Sequence, residues 1–272
     1  EKGNGFFQFT EEVVISVENE EQESPAADVA DLFTVPAGFT PNVEMGATNA
    51  EISLVTDRNL KKEAYRLEVT EKGIRVYASE PSGFFYAFQT LRLLLPADIE
   101  NSTLTNQEWK VPVVEIKDEP RFGYRSMMLD VARCFIPKEE VLRMVDCMAM
   151  LKLNTLHLHL SDDTGWRLEI KKYPRLTEVG AWRVDRGNLP FYARLNQQEG
   201  EKATLGGFYT QDDMAEIVAY AMDRRITVIP EIDVPAHSCA ALAAYPELAC
   251  PVVKDKITVL PGLAVSYTHL RA

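Results

Sequence analysis

Residues 157–170 read HLHLSDDTGWRLEI. His157 and His159 alternate with leucines, so a strand here would project both from one face. The run then breaks into two adjacent aspartates, Asp162 and Asp163, followed by Gly165, Trp166 and Arg167. The same grammar recurs on either side. Residues 124–130 form a strand candidate that exits into LDVARCF, and residues 155–160 form the strand that exits into LSDDTGWR. Residues 226–231 form a third, exiting into PEIDVPAH. Between them lie an amphipathic helix over 138–152, with Val141, Val145 and Met148 in register, and a helix over 210–225. Thr210 stands at the N-cap position of the second helix with Asp213 three residues on. A long irregular stretch, 171–209, precedes that helix.

This βαβαβ order predicts a parallel sheet, either doubly wound or a barrel. Ionisable side chains gather after each strand, the end at which both folds place their active sites. No exit carries GxGxxG, which argues against a dinucleotide site and makes a barrel the expectation.

Residues 1–118 follow different rules and read as a small α+β domain. Strand-like runs fall at 12–17, 50–55, 65–70 and 73–78, with a hairpin turn at EKG (71–73), and another at 109–116. SGFFYAFQTLRLLLP (82–96) predicts a helix capped by Ser82, with Phe84, Phe88, Leu91 and Leu95 on one face and Pro96 as its stop. KDEPRFGYR (117–125) suits a domain boundary near residue 120.

The 272 residues are 46% hydrophobic, enough for a substantial core. The formal net charge of −12 argues against nucleic acid as the main partner. No run approaches the ~18 apolar residues of a membrane span. Cys134, Cys147, Cys239 and Cys250 have no metal-ligand spacing. Cys147 is expected in the core, and Cys239 and Cys250 either pair or stay free thiols.

Among the ionisable residues, an HxH pair can hold a divalent metal, with His237 and Asp233 as further ligands, as in a metal-dependent hydrolase. It can equally hydrogen-bond within a barrel layer, and so short a signal favours that second reading. Arg133 offers a planar fork suited to vicinal hydroxyls. Asp162 and Asp163 can accept from sugar hydroxyls or orient a histidine. Trp166 either lines a sugar ring or plugs the loop. Glu231, Asp233 and His237 lie within seven residues after one strand and form a second cluster. Glu139, Glu140, Asp212 and Asp213 fit helix first turns.

RSMMLDVARCFIPKEEVLRMVDCMAMLKLNTLHLHLSDDTGWRLEIKKYPRLTEVGAWR (125–183) resembles the opening of the catalytic barrel of β-N-acetylhexosaminidases, glycoside hydrolase family 20. GGFYTQDDMAEIVAYAMDRRITVIPEIDVPAHSCAALAAYPELAC (206–250) resembles the family's next segment, and the residues before 118 resemble the α+β domain preceding the barrel. The resemblance implies a 1–118 α+β domain and, over 119–263, about three strands of a TIM-type (β/α)8 barrel. It implies removal of terminal β-linked N-acetylglucosamine or N-acetylgalactosamine by substrate-assisted retaining hydrolysis, without cofactor or metal. A carbohydrate is the implied partner, and the periplasm or the cell exterior the implied location. On the family pattern Arg133 binds the hydroxyls at positions 3 and 4 of the sugar. Asp162 and His237 form the couple that supports the acid/base glutamate.

Two departures stand out. Cys134 occupies a position where many members have histidine. The family's His-x-Gly-Gly-Asp-Glu motif is not in these 272 residues; the one Asp-Glu dipeptide, Asp118–Glu119, lies before the barrel. AVSYTHLRA (264–272) does not continue the family pattern and reads as a non-native tail, so His269 carries no functional weight. The expectation is that this polypeptide alone is inactive and poorly soluble. A non-catalytic glycan-binding module is the remaining alternative.

Overall fold

The structure, a computed structural model, describes residues 2–187, 189–190, 193–252 and 256–262. The 264–272 tail and His269 lie outside them. The chain divides into two compact units, Glu1–Gly123 with Met150–Lys152, and Tyr124–Ala149 with Leu153–Ala272.

The first unit is one mixed seven-stranded sheet with two helices. Its elements are β1 (Lys2–Gln8), β2 (Val14–Val17), α1 (Glu23–Asp31), β3 (Asn42–Met45), β4 (Ile52–Thr56), β5 (Tyr65–Thr70), β6 (Gly73–Ala78), α2 (Pro81–Leu94) and β7 (Lys110–Asp118). The strand order is β1-β7-β5-β6-β4-β2-β3. β5 and β6 form the hairpin that alternation predicted, with Leu67, Val69, Ile74 and Val76 buried. Phe9, Phe33, Phe39 and Trp109 pack as an aromatic cluster.

The helix predicted from SGFFYAFQTLRLLLP forms, but Ser82 does not cap it. Glu80 takes the N-cap position with Pro81 at the first turn, and the buried Ser82 hydroxyl has no partner. The pre-set φ of proline suits a first helical turn, so Pro81 displaces the serine from the cap position.

In the second unit β8 (Ser126–Asp130), β9 (Thr155–His159) and β14 (Thr227–Glu231) make a parallel sheet in the order β14-β9-β8. α3 (Lys138–Met150) connects the first two strands. The return from β9 carries a small hairpin of β10 (Ser161–Asp162) and β11 (Gly165–Trp166), then α4 (Arg175–Glu178). β12 (Trp182–Arg183) pairs with β13 (Leu205–Gly206) inside the stretch expected to be irregular. α5 (Gln211–Asp223) leads into β14, and α6 (Cys239–Ala244) follows it.

Helix α5 starts as expected. Thr210 Oγ1 accepts from the Asp213 N–H at 3.0 Å, and Asp213 accepts from the Thr210 N–H at 3.0 Å, a reciprocal capping box. α3 and α5 are tied at both ends, by Lys138 to Asp213 at 2.9 Å and by Arg224 to Asp146 at 2.5 Å. Val141, Val145 and Met148 are buried, as their spacing required. Cys147 is exposed, against expectation. Two residues beyond Val145 on a helix of 3.6 residues per turn, it points away from the buried stripe. All four cysteines are free thiols.

Candidate active site

Parallel register decides which side chains meet. Asp130, His159 and Glu231 are the last residues of β8, β9 and β14, and both strand pairings align them in one row. Cβ atoms alternate faces along a strand, so His157 shares that face one row back. The HxH motif therefore places two imidazoles where the exit loops converge.

Glu231 draws both rings. Its carboxylate lies 2.6 Å from His157 Nε2 and 3.2 Å from His159 Nδ1. His159, almost fully buried, reaches Asp162 with its other nitrogen, Nε2 to Oδ2 at 3.0 Å. The hydrogen bond to Asp162 outweighs the cost of burial and, with Glu231, pushes the His159 imidazole up to about 9. Burial works against ionisation of Asp162, but His159, the Asp163 N–H at 2.6 Å and Arg133 together hold its carboxyl below the usual range.

Arg133 stands between two carboxylates. It meets Asp162 Oδ2 at 2.8 Å and Asp130 Oδ2 at 2.6 Å, and its backbone N–H donates to Asp130 Oδ1 at 3.0 Å. About a third of the side chain remains exposed. Both aspartates are thus committed to orienting the guanidinium, which presents a fixed fork of donors at the strand ends.

His237 approaches from the loop after β14. Its Nδ1 is 3.5 Å from Asp162 Oδ1 and 3.6 Å from Asp163 Oδ2, beyond good hydrogen-bonding distance, and has no hydrogen-bond partner. Its backbone has φ of 52°, a left-handed conformation that costs a non-glycine residue energy and is held by its surroundings. Asp163 serves the frame, since its Oδ1 accepts the Cys239 N–H at 3.1 Å at the start of α6. Asp233 donates its backbone N–H to Ser161 Oγ at 2.9 Å.

Asp162, Asp163 and His237 bring three atoms capable of binding a metal within 4.8 Å of one another. The donor set fits an ion-pair network better than a cation. Asp162 already carries a guanidinium and an imidazole on one oxygen, and a metal there would sit against the Arg133 charge. His157 and His159 converge on Glu231 rather than on a shared open point.

Trp166 resolves as the plug. It is buried with Leu176, Ala240, Ala244 and Val259, and its indole N–H donates to the Leu168 carbonyl at 2.6 Å. The loop scaffold rests on Arg167, which sequence reading passed over. Only 1% exposed, its guanidinium donates to the carbonyls of Val131, Ala132, Thr164, Ala181 and Gly207 at 2.6–3.4 Å. Burial, aided by the nearby Arg183 charge, pulls it down to about 10, still cationic at neutral pH. Arg183, also buried, donates to the Arg133 carbonyl at 2.7 Å. Glycine is required at 165, where an added Cβ would lie 2.1 Å from the Arg167 guanidinium. Asp130 was missed as well; its signal was a carboxylate ending a strand three residues before Arg133. Cys134 is exposed beside this frame.

The arrangement is a ring of charge at the mouth of a parallel sheet, suited to holding a polyhydroxylated ligand on Arg133. Family models match along both parts of the chain: "Glycosyl hydrolase family 20, domain 2" over residues 1–119 and "Glycosyl hydrolase family 20, catalytic domain" over residues 122–267. A beta-hexosaminidase of Porphyromonas gingivalis is 44% identical over 248 residues, covering 90% of this chain and 30% of that protein. One from Vibrio furnissii is 44% identical over 248 residues, covering 91% and 38%. Among solved structures, the Streptomyces plicatus N-acetyl-beta-hexosaminidase in complex with Thio-NAglucal matches with a TM-score of 0.86 and 34% identity, over 99% of this chain and 51% of that one. The chain thus spans between 30% and 51% of the length of these relatives.

Proposed function

The chain belongs to glycosyl hydrolase family 20, and from that premise we propose that it is the front part of an exo-acting β-N-acetylhexosaminidase. The observation that carries the reading is Arg133, fixed on Asp130 and Asp162 at the strand ends. Its fork takes two adjacent hydroxyls of a terminal sugar. Asp162 and His237 lie behind it, 3.5 Å apart, as the couple that supports an acid/base glutamate. The family's His-x-Gly-Gly-Asp-Glu motif is not among these 272 residues, whose one Asp-Glu dipeptide, Asp118–Glu119, lies before the barrel.

In this reading the nucleophile is the substrate's own 2-acetamido oxygen. It attacks the anomeric carbon as the glycosidic bond breaks, giving an oxazolinium ion that water then opens with retention. The glutamate protonates the leaving oxygen and then takes a proton from the water. Terminal N-acetylglucosamine and N-acetylgalactosamine are both within this substrate class. The charged frame built by the residues here anchors the sugar while charge develops at its anomeric carbon.

The test compares substrates with and without the acetamide. The complete protein is expected to cleave an aryl N-acetyl-β-glucosaminide and to leave the matching aryl β-glucoside nearly untouched. Equal cleavage of the two would remove substrate assistance, and with it this reading.

A further inference from the structure

His159 has no place in the chemistry above, yet it is the most enclosed of the described histidines. It sits at the centre of the register row, with Asp130 on β8 to one side and Glu231 on β14 to the other. Asp162 faces it from the exit loop, and His157, on its own strand, shares the Glu231 oxygen. Its two ring nitrogens face two different carboxylates, Nε2 at 3.0 Å from Asp162 and Nδ1 at 3.2 Å from Glu231.

A neutral imidazole has one donor and one acceptor nitrogen, so either tautomer would turn a lone pair toward a carboxylate. Only the doubly protonated ring satisfies both contacts. Asp162 Oδ2 is the oxygen that His159 shares with Arg133. Its other oxygen takes the Asp163 N–H and faces His237.

We propose that His159 is a positioning residue, a permanent imidazolium clamped between Glu231 and Asp162 that fixes the carboxylate that holds Arg133 and faces His237. The proposal rests on the sugar-binding reading of Arg133 for its purpose, but not for its geometry. Glu231 is then the counter-ion that keeps the ring charged, and it answers why three ionisable groups end three neighbouring strands. The high proton affinity of the ring agrees with this arrangement.

The experiment is a pH titration of the ring nitrogens in the 15N-histidine-labelled complete protein, with His159 assigned through His159→Gln. Both nitrogens of His159 are expected to carry protons through pH 8, with a midpoint near 9. In Glu231→Gln the midpoint should fall by a unit or more, roughly a tenfold change in proton affinity. In His159→Gln the ring signals of His237 should shift, because the Asp162 carboxylate is released. His159 titrating between pH 6 and 7, with one bare nitrogen below pH 8, would overturn the proposal, and so would a midpoint indifferent to Glu231→Gln. A charged, Glu231-dependent ring in a complete protein that does not cleave N-acetyl-β-hexosaminides would uphold the clamp while sinking the hydrolase reading, so the two failures are distinguishable.

Discussion

Arg167 shows how much of this site is held by a residue that touches no ligand. A buried cation without a carboxylate partner is expensive unless every donor is used, and here five carbonyls from four loop segments use them. Arg167→Met is expected to cost about 3–5 kcal/mol by leaving those carbonyls unpaired, measured by urea denaturation. Arg167→Lys should not rescue it, because a point-like ammonium cannot span the fan.

His159 gives a second residue-level prediction, of opposite sign to the usual carboxylate case. Its folded value, about 9, lies above the 6.5 of an unperturbed imidazole. The stabilisation is therefore complete below pH 6.5 and is lost as the pH rises through 9. Melting temperature should drop across that window, and the drop should flatten in His159→Gln. Arg133, Asp162 and His237 stood out in the sequence because the family pattern names those positions, and the structure brings them together; Asp130 and Arg167 did not stand out. A strand-end aspartate and a loop arginine look like surface residues until register and burial are known.

At the scale of elements, the structure follows the sequence wherever one periodic signal dominates. α5 carries its start in Thr210 and Asp213, and Thr210→Ala should cost about 1 kcal/mol in chemical denaturation. The β5–β6 hairpin formed over the very residues that alternation marked. In the first unit three strands or α-helices went unread: β1, α1 and β3. β1 holds two glycines and a break in its register with β7, which blurs the period of two. α1 contains Pro25 and no large apolar residue, so its buried face of Ala26, Val29 and Ala30 sends little signal. β3 is four residues long and mostly exposed. Cys147 failed for the opposite reason, because residue type was weighed above helical phase.

For the whole molecule, the order of strands and helices sufficed to predict a parallel sheet with its chemistry at one end. Seven strands of mixed direction in the first unit could not be ordered from sequence, since pairing between distant strands leaves no local trace. The site is a product of that larger arrangement: three strands in register bring together Asp130, His159 and Glu231, although the first and last are separated by most of the second unit. If Arg133 is the sugar anchor, Arg133→Lys in the complete protein should lower kcat/KM by tenfold or more, about 1.4 kcal/mol, because a forked contact becomes a single one.

The most direct measurement is a crystal structure of the complete protein with N-acetylglucosamine bound. The Arg133 guanidinium is expected within hydrogen-bonding distance of two adjacent ring hydroxyls, with its contacts to Asp130 and Asp162 intact. A sugar bound away from Arg133, or an Arg133 turned from it, would contradict the account.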